Sequence, residues 1–133
     1  MRLLNASRAV VDLAKLRDYC LNPVHEDGKH KARVFASALG IQRADAEWLK
    51  GRLLEAAATG EAVLGEENRF GTLYVVDFSL KTPRGSVVIR SCWIVRLSED
   101  FPRLTTCYVK SRTADERDSA AGDRGRGGRS TGP

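Results

Sequence analysis

The pattern of apolar and polar residues changes once along this chain, near residue 60. Before that point, apolar residues recur at every third or fourth position, a spacing typical of helices with one buried face. Beyond it, apolar and polar residues alternate, as they do in β-strands that bury one face. The pattern therefore predicts a helical N-terminal half that is followed by strands.

Three segments of the first half have helical spacing: about residues 13–21, 29–39 and 44–59. Asp12 is a suitable N-cap for the first segment, and Asn22-Pro23 ends it because the residue before a proline disfavours helical geometry. Gly40 suits the left-handed position after the second segment, and Gly60 closes the third. Upstream, residues 8–11 form either a short strand or a lead-in segment.

Three segments of the second half alternate: about residues 72–80, 86–96 and 104–110. Thr82-Pro83-Arg84-Gly85 is typical of a tight turn, and a polar loop over Ser98–Pro102 joins the second and third segments. Short connections of this kind make an antiparallel meander, here of three to four strands. Helices followed by strands predict an α+β fold, with the N-terminal helices packed on one face of the C-terminal antiparallel sheet.

The end of the chain differs in composition from the rest. From Thr113 onward there is no large apolar residue, and Gly, Ser, Asp and Arg dominate, including the RGG-like run Gly125–Arg129. Such a segment has little apolar surface to bury, so residues 113–133 are expected to be a disordered tail. Residues 1–112 then form a single α+β domain, and a length of 133 residues suits one domain.

The net charge of +5 lies entirely within residues 1–112, which hold 18 basic and 13 acidic residues. This moderate excess permits nucleic-acid binding by the folded domain without requiring it. Cys20, Cys92 and Cys107 lack CxxC spacing, and an odd number without a secretion signal favours a reducing cytoplasm. No apolar run reaches the length of a membrane span. We therefore expect a cytoplasmic protein with small, buried cysteine side chains.

The segment of residues 22–35 concentrates groups capable of proton transfer and phosphate binding. Within nine residues it holds His25, Lys29, His30, Lys31 and Arg33. Histidine exchanges a proton near neutral pH, and a nearby cation stabilises a phosphate in the transition state, as metal-free cleavage of RNA requires. His25 follows a proline turn, whereas the helix dipole opposes a protonated His30 in the first turn of its helix. The alternative is a basic loop that forms an ordinary solvated surface.

A second polar set lies on the paired strands, near the predicted centre of the sheet. Its members are Arg90, Ser91, Thr105, Thr106 and Tyr108. If the helix carrying Lys31 lies across that face, these side chains hold a phosphate; otherwise they form cross-strand hydrogen bonds. Trp93 is expected in the core rather than as a platform for base stacking.

Other catalytic patterns are absent from the sequence. It contains no P-loop, G-x-G-x-x-G, G-x-S-x-G or HExxH motif. The two histidines lack a supporting set of cysteines or carboxylates, and Asp77 stands isolated on its predicted strand. The sequence therefore predicts neither a metal site nor a cofactor.

The segment from Asp18 to Gly40 resembles the signature of a bacterial family. Asp18-Tyr19-Cys20-Leu21-Asn22-Pro23 is followed by His25, Gly28, Lys31-Ala32, Phe35 and Leu39-Gly40. These residues resemble the pattern LNP-x-H-x-x-G-x-x-KA-x-x-F-x-x-x-LG of the DUF6883 type of domain. Similar segments occur in C-terminal toxin domains of contact-dependent inhibition and other polymorphic toxin systems. The resemblance covers about residues 3–110.

Those toxin domains are similar to the barnase/EndoU/colicin/RelE-like ribonucleases, which place N-terminal helices against an antiparallel sheet and usually cleave RNA without metal. The resemblance implies that His25 and Lys31 act from the helix side. It implies Thr105 or Thr106 as the residue that acts from the strand side. It also implies a cognate antitoxin or immunity protein as a partner, with RNA as the substrate.

The leading hypothesis is a cytoplasmic, metal-independent ribonuclease of toxin type. His25 would act as general base or acid, and Lys31 would stabilise the phosphorane with help from Arg33 or Arg90. Thr105 or Thr106 would bind a phosphate oxygen. The further candidates for substrate binding are Lys29, His30, Ser91 and Tyr108. The rival hypotheses are a non-catalytic interaction module of immunity or antitoxin type, and a basic nucleic-acid-binding domain.

Overall fold

The computed structural model describes residues 1–111. The predicted domain boundary at residue 112 and the predicted tail over 113–133 lie outside the described residues. The chain begins with a 3₁₀ turn at Ala6–Arg8, followed by a parallel bridge between Val10 and Arg103. Residues 8–11 are thus a lead-in that touches the edge of the sheet, which is one of the two predicted alternatives.

Three helical regions precede the sheet. They are α1 (Leu13–Lys15) with a π-helical turn at Leu16–Cys20, α2 (Lys29–Leu39), and α3 (Ala46–Thr59) preceded by a 3₁₀ turn at Arg43–Asp45. The prediction for α2 is confirmed at both ends, and Gly40 has the expected left-handed conformation, with φ of 74°. The third predicted helix begins two residues later than expected.

The first predicted helix is α-helical for about one turn only, so the prediction of a regular helix over residues 13–21 is wrong. The Asp12 carboxylate caps it by accepting hydrogen bonds from the N–H groups of Ala14 and Lys15. The N–H of Leu21 then donates to the carbonyl of Leu16, five residues back, so the backbone widens into a π turn. Sequence periodicity cannot distinguish this turn from an α-helical one, because the buried positions differ by only one residue per turn.

The sheet has four antiparallel strands in the order β1-β2-β3-β4. The strands are β1 (Ala62–Asn68), β2 (Gly71–Thr82), β3 (Gly85–Arg96) and β4 (Pro102–Ser111). The predicted α+β meander is confirmed, together with the tight turn at Pro83-Arg84. The segment that forms β1 was not recognised as a strand, because only Ala62 of its residues is buried and the sequence shows no alternation.

The helices pack on one face of the sheet, and the core lies between them. α2 contacts β3 and β4, whereas α3 contacts β2. The side chains of Phe35, Leu49, Leu53, Ile89 and Trp93 are all fully buried there. Trp93 is therefore a core residue, as expected. None of the helices within residues 1–111 is both long and apolar enough to cross a membrane.

Candidate functional site

Lys31 joins three elements at the edge of the sheet formed by β4. Its ammonium donates hydrogen bonds to the Tyr19 hydroxyl at 3.1 Å and to Thr106 Oγ1 at 3.0 Å. Lys31 Nζ also lies 5.0 Å from the ring centroid of Tyr19 and 5.6 Å from that of Tyr108. Cations are attracted to aromatic faces at such distances. We call Lys31, Tyr19, Thr106 and Tyr108 the Lys31 cluster.

The turn between the π-helical turn and α2 brings His25 next to this cluster. Asn22 begins the turn: its Oδ1 accepts from the N–H of Val24 at 3.0 Å. His25 Nδ1 then accepts from the N–H groups of Asp27 at 2.9 Å and Gly28 at 3.0 Å. The His25 ring meets the Tyr19 ring edge-on, with 4.9 Å between centroids and an angle of 88° between planes.

The hydrogen bonds of His25 restrict its chemistry in this conformation. Because Nδ1 accepts two N–H groups, the neutral ring carries its hydrogen on Nε2; this tautomer is inferred from the hydrogen-bond network. Within residues 1–111 no hydrogen bond joins Nε2 to another group. His25 therefore offers a ring N–H as a donor, on a half-buried side chain beside Tyr19.

Gly28 is needed because the turn passes very close to the π-helical turn. A Cβ atom built on Gly28 would lie 2.1 Å from the carbonyl oxygen of Tyr19. No side chain fits at that distance, so a larger residue must move the backbone. The Asn22, His25 and Gly28 positions of the sequence signature thus shape the turn that starts α2 and sets the position of Lys31.

Arg90 extends the polar surface from Tyr108 toward the middle of the sheet. Its guanidinium donates two hydrogen bonds to the Asp77 carboxylate, both at 3.0 Å, and Lys110 Nζ donates to the same carboxylate at 3.0 Å. Asp77 is therefore paired with two cations, and its contacts include no second carboxylate that would form a metal site within residues 1–111. The separation of 13 residues between Arg90 and Asp77 hid the pair from the sequence.

This ion pair sets the charge states of its members. Burial would by itself raise the pKa of the Asp77 carboxyl, but the hydrogen bonds from Arg90 and Lys110 bring the pKa below its ordinary value. The pKa of the Arg90 guanidinium is raised, chiefly by Asp77 and further by Tyr108. Arg90 is thus a cation whose charge is largely balanced by Asp77.

A β-bulge decides which of the two strand threonines faces Lys31. The pairing of β3 with β4 shifts between Cys92 and Trp93, which makes Thr105 the extra residue of β4. Thr105 Oγ1 donates to the carbonyl of Cys92 at 3.1 Å, whereas the hydroxyl of Thr106 accepts from Lys31. The sequence left both threonines open; the structure brings Thr106 alone into the Lys31 cluster.

Four other predicted substrate contacts lie outside the cluster. His30 and Arg33 are exposed on α2, and Lys29 is half-buried at its start; within residues 1–111 none of these three side chains makes a hydrogen bond or an ion pair. Ser91 lies in the core with 0% exposure. Its hydroxyl donates to the carbonyl of Val76 at 2.7 Å and accepts from Trp93 Nε1 at 2.9 Å, so it has no route to a ligand.

Tyr19 is the member of the cluster that sequence reasoning did not identify. It is 12 residues from Lys31, and the sequence placed it only at the flank of an apolar face. The sequence feature that could have identified Tyr19 is an aromatic residue with a hydroxyl group shortly before a basic turn. Beneath it, Cys20 and Cys107 are fully buried, as expected. Their contact lowers the pKa of the Cys20 thiol and raises that of Cys107.

The Lys31 cluster surrounds a cation with the two hydroxyl groups that it bonds, those of Tyr19 and Thr106, and with the rings of Tyr19 and Tyr108. No carboxylate within residues 1–111 pairs with Lys31, and no group of His, Cys, Asp or Glu there is arranged to hold a metal ion. A cation whose neighbours are hydroxyl groups keeps its positive potential, since no counter-charge is adjacent. The arrangement is suited to an anion such as a phosphate.

The fold and the cluster define an α+β domain with a cationic site at its sheet edge. Residues 2–111 match the family described as "Domain of unknown function (DUF6883)", so the chain belongs to the DUF6883 family. The fold is similar to a chain of the "Contact-dependent growth inhibition toxin - immunity protein complex from Klebsiella pneumoniae 342". That match has a TM-score of 0.60 and 16% identity, and it covers 76% of this chain and 99% of the other. No curated protein matches the sequence.

Proposed function

We propose that this protein is a toxin-type, metal-independent ribonuclease that acts on cellular RNA in the cytoplasm, and that a cognate immunity or antitoxin protein restrains it. The observation that carries the proposal is the Lys31 ammonium, held between the hydroxyls of Tyr19 and Thr106 with no adjacent carboxylate from residues 1–111. Similarity to a chain of a toxin–immunity complex supports the toxin setting.

The proposed reaction is attack of a ribose 2′-OH on the adjacent phosphate, which releases the 5′-oxygen and leaves a 2′,3′-cyclic phosphate. Negative charge increases on the phosphoryl oxygens in the transition state, and Lys31 is the proposed cation that stabilises this charge. Tyr19 and Thr106 hold the ammonium in place, and the Thr106 hydroxyl is the proposed contact to a phosphate oxygen.

His25 is the proposed partner of Lys31. Its Nε2–H donates a hydrogen bond to a phosphate oxygen or to the leaving oxygen, without giving up the proton. A base role for Nε2 requires the other tautomer, whose Nδ1–H would break the two hydrogen bonds from Asp27 and Gly28. The geometry therefore favours His25 as a hydrogen-bond donor, and in the proposed step water takes the 2′ proton and supplies the proton of the leaving oxygen. Thr105, with its side chain bonded to β3, supports the bulge.

The remaining cations are proposed to bind the phosphates on either side of the cleaved one. Lys29, His30 and Arg33 lie on the first turns of α2, the helix that also carries Lys31, and Arg90 lies beyond Tyr108. Such contacts strengthen RNA binding without selecting a base, because phosphates are the same in every sequence.

The test is an RNA cleavage assay with the purified protein in EDTA, combined with induced expression in bacteria. We expect growth arrest and RNA fragments with 2′,3′-cyclic phosphate ends. Lys31→Met should abolish both effects, while Lys50→Met, which removes the same charge from α3, should leave them unchanged. Intact RNA with both the wild-type protein and Lys50→Met, at protein concentrations in excess of RNA, rejects the proposed activity.

The second candidate is a non-catalytic interaction module of immunity or antitoxin type. The similar structure is a complex of a toxin with an immunity protein, and the fold match fits either role. Normal growth on expression, with protection of cells against a cognate toxin, would support this candidate. Salt-sensitive RNA binding without cleavage would instead indicate the nucleic-acid-binding alternative.

A further inference from the structure

β1 covers only part of the edge of β2. β1 pairs with β2 over Gly71–Val76, whereas β3 pairs with β2 along its whole length, as far as Thr82. Among residues 1–111, the stretch of β2 over 77–82 therefore has a neighbouring strand on one side only.

The backbone of this stretch presents unpaired hydrogen-bonding groups. Successive residues of an antiparallel strand direct their N–H and C=O groups to alternate sides, and the hairpin closes at Thr82, whose groups face β3. The residues that direct these groups to the open side are Asp77, Ser79 and Lys81. No backbone hydrogen bond from them to another part of residues 1–111 is found on that side. This is an open strand edge, which favours pairing with another extended chain.

A groove runs beside this edge, between β2 and α3. Its volume is about 420 Å³, within the range of ligand-binding clefts. The residues of α3 that line it follow one face of the helix: Trp48, Arg52, Glu55, Ala56 and Thr59. The residues of β2 that line it are those from Phe78 to Lys81. An extended chain that paired with β2 would therefore have room for its side chains against α3.

The lining indicates what kind of chain fits. Leu80 and Ala56 form an apolar floor with 5% and 6% exposure, and Trp48 forms a wall that is 43% exposed. The other side of the strand is different, because Ser79 and Lys81 point away from the core. Alternate residues of an added strand would thus meet the groove, whose apolar floor is flanked by Arg52 and Glu55, and the Lys81 ammonium in turn. An apolar–acidic alternation is complementary to both.

We propose that residues 77–82 of β2 form a docking site for an extended segment of a partner protein. The segment adds to the sheet as a strand, places apolar side chains against Trp48 and Leu80, and places acidic side chains beside Lys81. Adding a strand to an open sheet edge is a common mode of peptide recognition. The site is two strands away from β4, so a bound segment leaves the Lys31 cluster accessible. The inference does not depend on the ribonuclease proposal.

The probe is a panel of capped octapeptides that alternate Val, Ile, Leu or Phe with Glu, titrated into the full-length ¹⁵N-labelled protein. We expect shifts of the backbone amide signals of Ser79 and Lys81 and a change in the fluorescence of Trp48. The same peptides with Lys in place of Glu should bind at least tenfold more weakly. Peptides N-methylated at the amides that face β2 should not bind.

Two variants separate docking from loss of folding. Ser79→Pro removes an edge N–H that faces the open side, a position where an edge strand tolerates proline. It should abolish peptide binding while the amide spectrum of β3 stays native. Lys81→Glu should reduce binding of the acidic peptides at least tenfold and favour the Lys-containing ones. Binding that survives both changes overturns the proposal.

Two further outcomes also overturn it. The first is the absence of shifts at Ser79 and Lys81 at millimolar peptide across the whole panel. The second is concentration-dependent dimerisation of the protein in sedimentation analysis, with shifts confined to residues 77–82, since the occupant would then be a second copy of the chain.

Discussion

The position of the Lys31 ammonium is fixed by the side chains that accept its hydrogen bonds. A lysine side chain has several rotatable bonds, and its ammonium makes a fixed contact only where hydrogen-bond acceptors hold it. Tyr19 and Thr106 provide two such acceptors on different elements, and neither removes the positive charge. The third N–H of the ammonium is then the one that would donate to a phosphate oxygen.

His25 permits a test that separates its ring from its role in the turn. Asn at position 25 can accept the same backbone N–H groups, because Asn side chains bond to the backbone two residues on. We expect His25→Asn to keep the fold and to lower the rate of RNA cleavage by about 10²-fold, since the ring donor is lost. His25→Ala should lower both the rate and the melting temperature.

The measurements for His25 are single-turnover cleavage rates in EDTA and thermal unfolding followed by circular dichroism. Wild-type cleavage by His25→Asn would show that the histidine serves the turn alone. The proposed role of Lys31 would stand, because it is tested separately by the comparison of Lys31→Met with Lys50→Met.

Among the structural elements, the turn between Tyr19 and α2 determines how the residues of the Lys31 cluster are positioned. The π-helical turn presents Tyr19, and the tight passage of Gly28 under its carbonyl fixes where α2 begins. Lys31 follows two residues into α2. A shift of this helix start by a fraction of a turn would separate Lys31 from Thr106 on β4.

Gly28 and Gly51 form a matched pair for testing this turn. Gly28→Ala should lower the free energy of unfolding by about 2 kcal/mol, because its Cβ meets backbone atoms that have no flexible side chain to yield. Gly51→Ala lies on an exposed part of α3, where no atom of residues 1–111 is within 4 Å of the new Cβ, and should raise the free energy of unfolding by about 0.5–1 kcal/mol. Urea unfolding measures both. Equal stability of Gly28→Ala and the wild type would contradict the close approach.

The hydrogen bonds of Asp77 on β2 with Arg90 on β3 and Lys110 on β4 predict a pH-dependent contribution to stability from Asp77. Its folded-state pKa is depressed below 3.8, so the contribution is complete above the unfolded pKa and is lost as the pH falls through the folded one. Asp77→Asn should lower the free energy of unfolding by about 1–2 kcal/mol at pH 7, after allowance for partial exposure.

The difference between wild type and Asp77→Asn should shrink in urea titrations at successively lower pH, beginning near pH 4. Glu55→Gln on α3 is a suitable control, because Glu55 is exposed and its ion pair with Arg52 contributes little. A constant difference between wild type and Asp77→Asn down to pH 2 would mean that the carboxylate is not stabilised by Arg90 and Lys110.

At the scale of the whole molecule, charge and surface are distributed unevenly. The first turns of α2 carry Lys29, His30, Lys31 and Arg33, whereas the open edge of β2 lies on the far side of β3 from β4. The proposed RNA site and the proposed docking site are therefore separate, and occupation of one would leave the other accessible.

The cationic surface predicts that RNA binding is sensitive to salt. With three phosphates neutralised, the logarithm of the binding constant should fall with the logarithm of salt concentration with a slope of about −2 for a single strand. Lys29→Ala and Arg33→Ala should each make the slope shallower by about 0.7. Binding of a 2′-O-methyl RNA, which lacks the attacking hydroxyl, measures this without cleavage; an unchanged slope in both variants would place the RNA elsewhere.

Elements whose signals are local can be predicted from the amino-acid sequence. The bounds of α2, the alternation of β2 to β4 and the burial of Trp93 follow from side-chain period, glycine positions and a turn motif within a few residues. The α+β order follows from the same signals. The strand β1 cannot be predicted in this way, because it is extended through its pairing with β2 and its own residues show no alternation.

The tertiary structure alone decided which side chains meet. Lys31 bonds Thr106, which is 75 residues away in the sequence, and a bulge directs the side chain of Thr105 away from Lys31. Asp77 pairs with Arg90 on the next strand. Ser91 was predicted to contact the substrate, but its hydroxyl is hydrogen-bonded to Val76 and Trp93 inside the core. Such contacts depend on strand register and helix placement, which are set by packing of the whole core and leave no local pattern in the sequence.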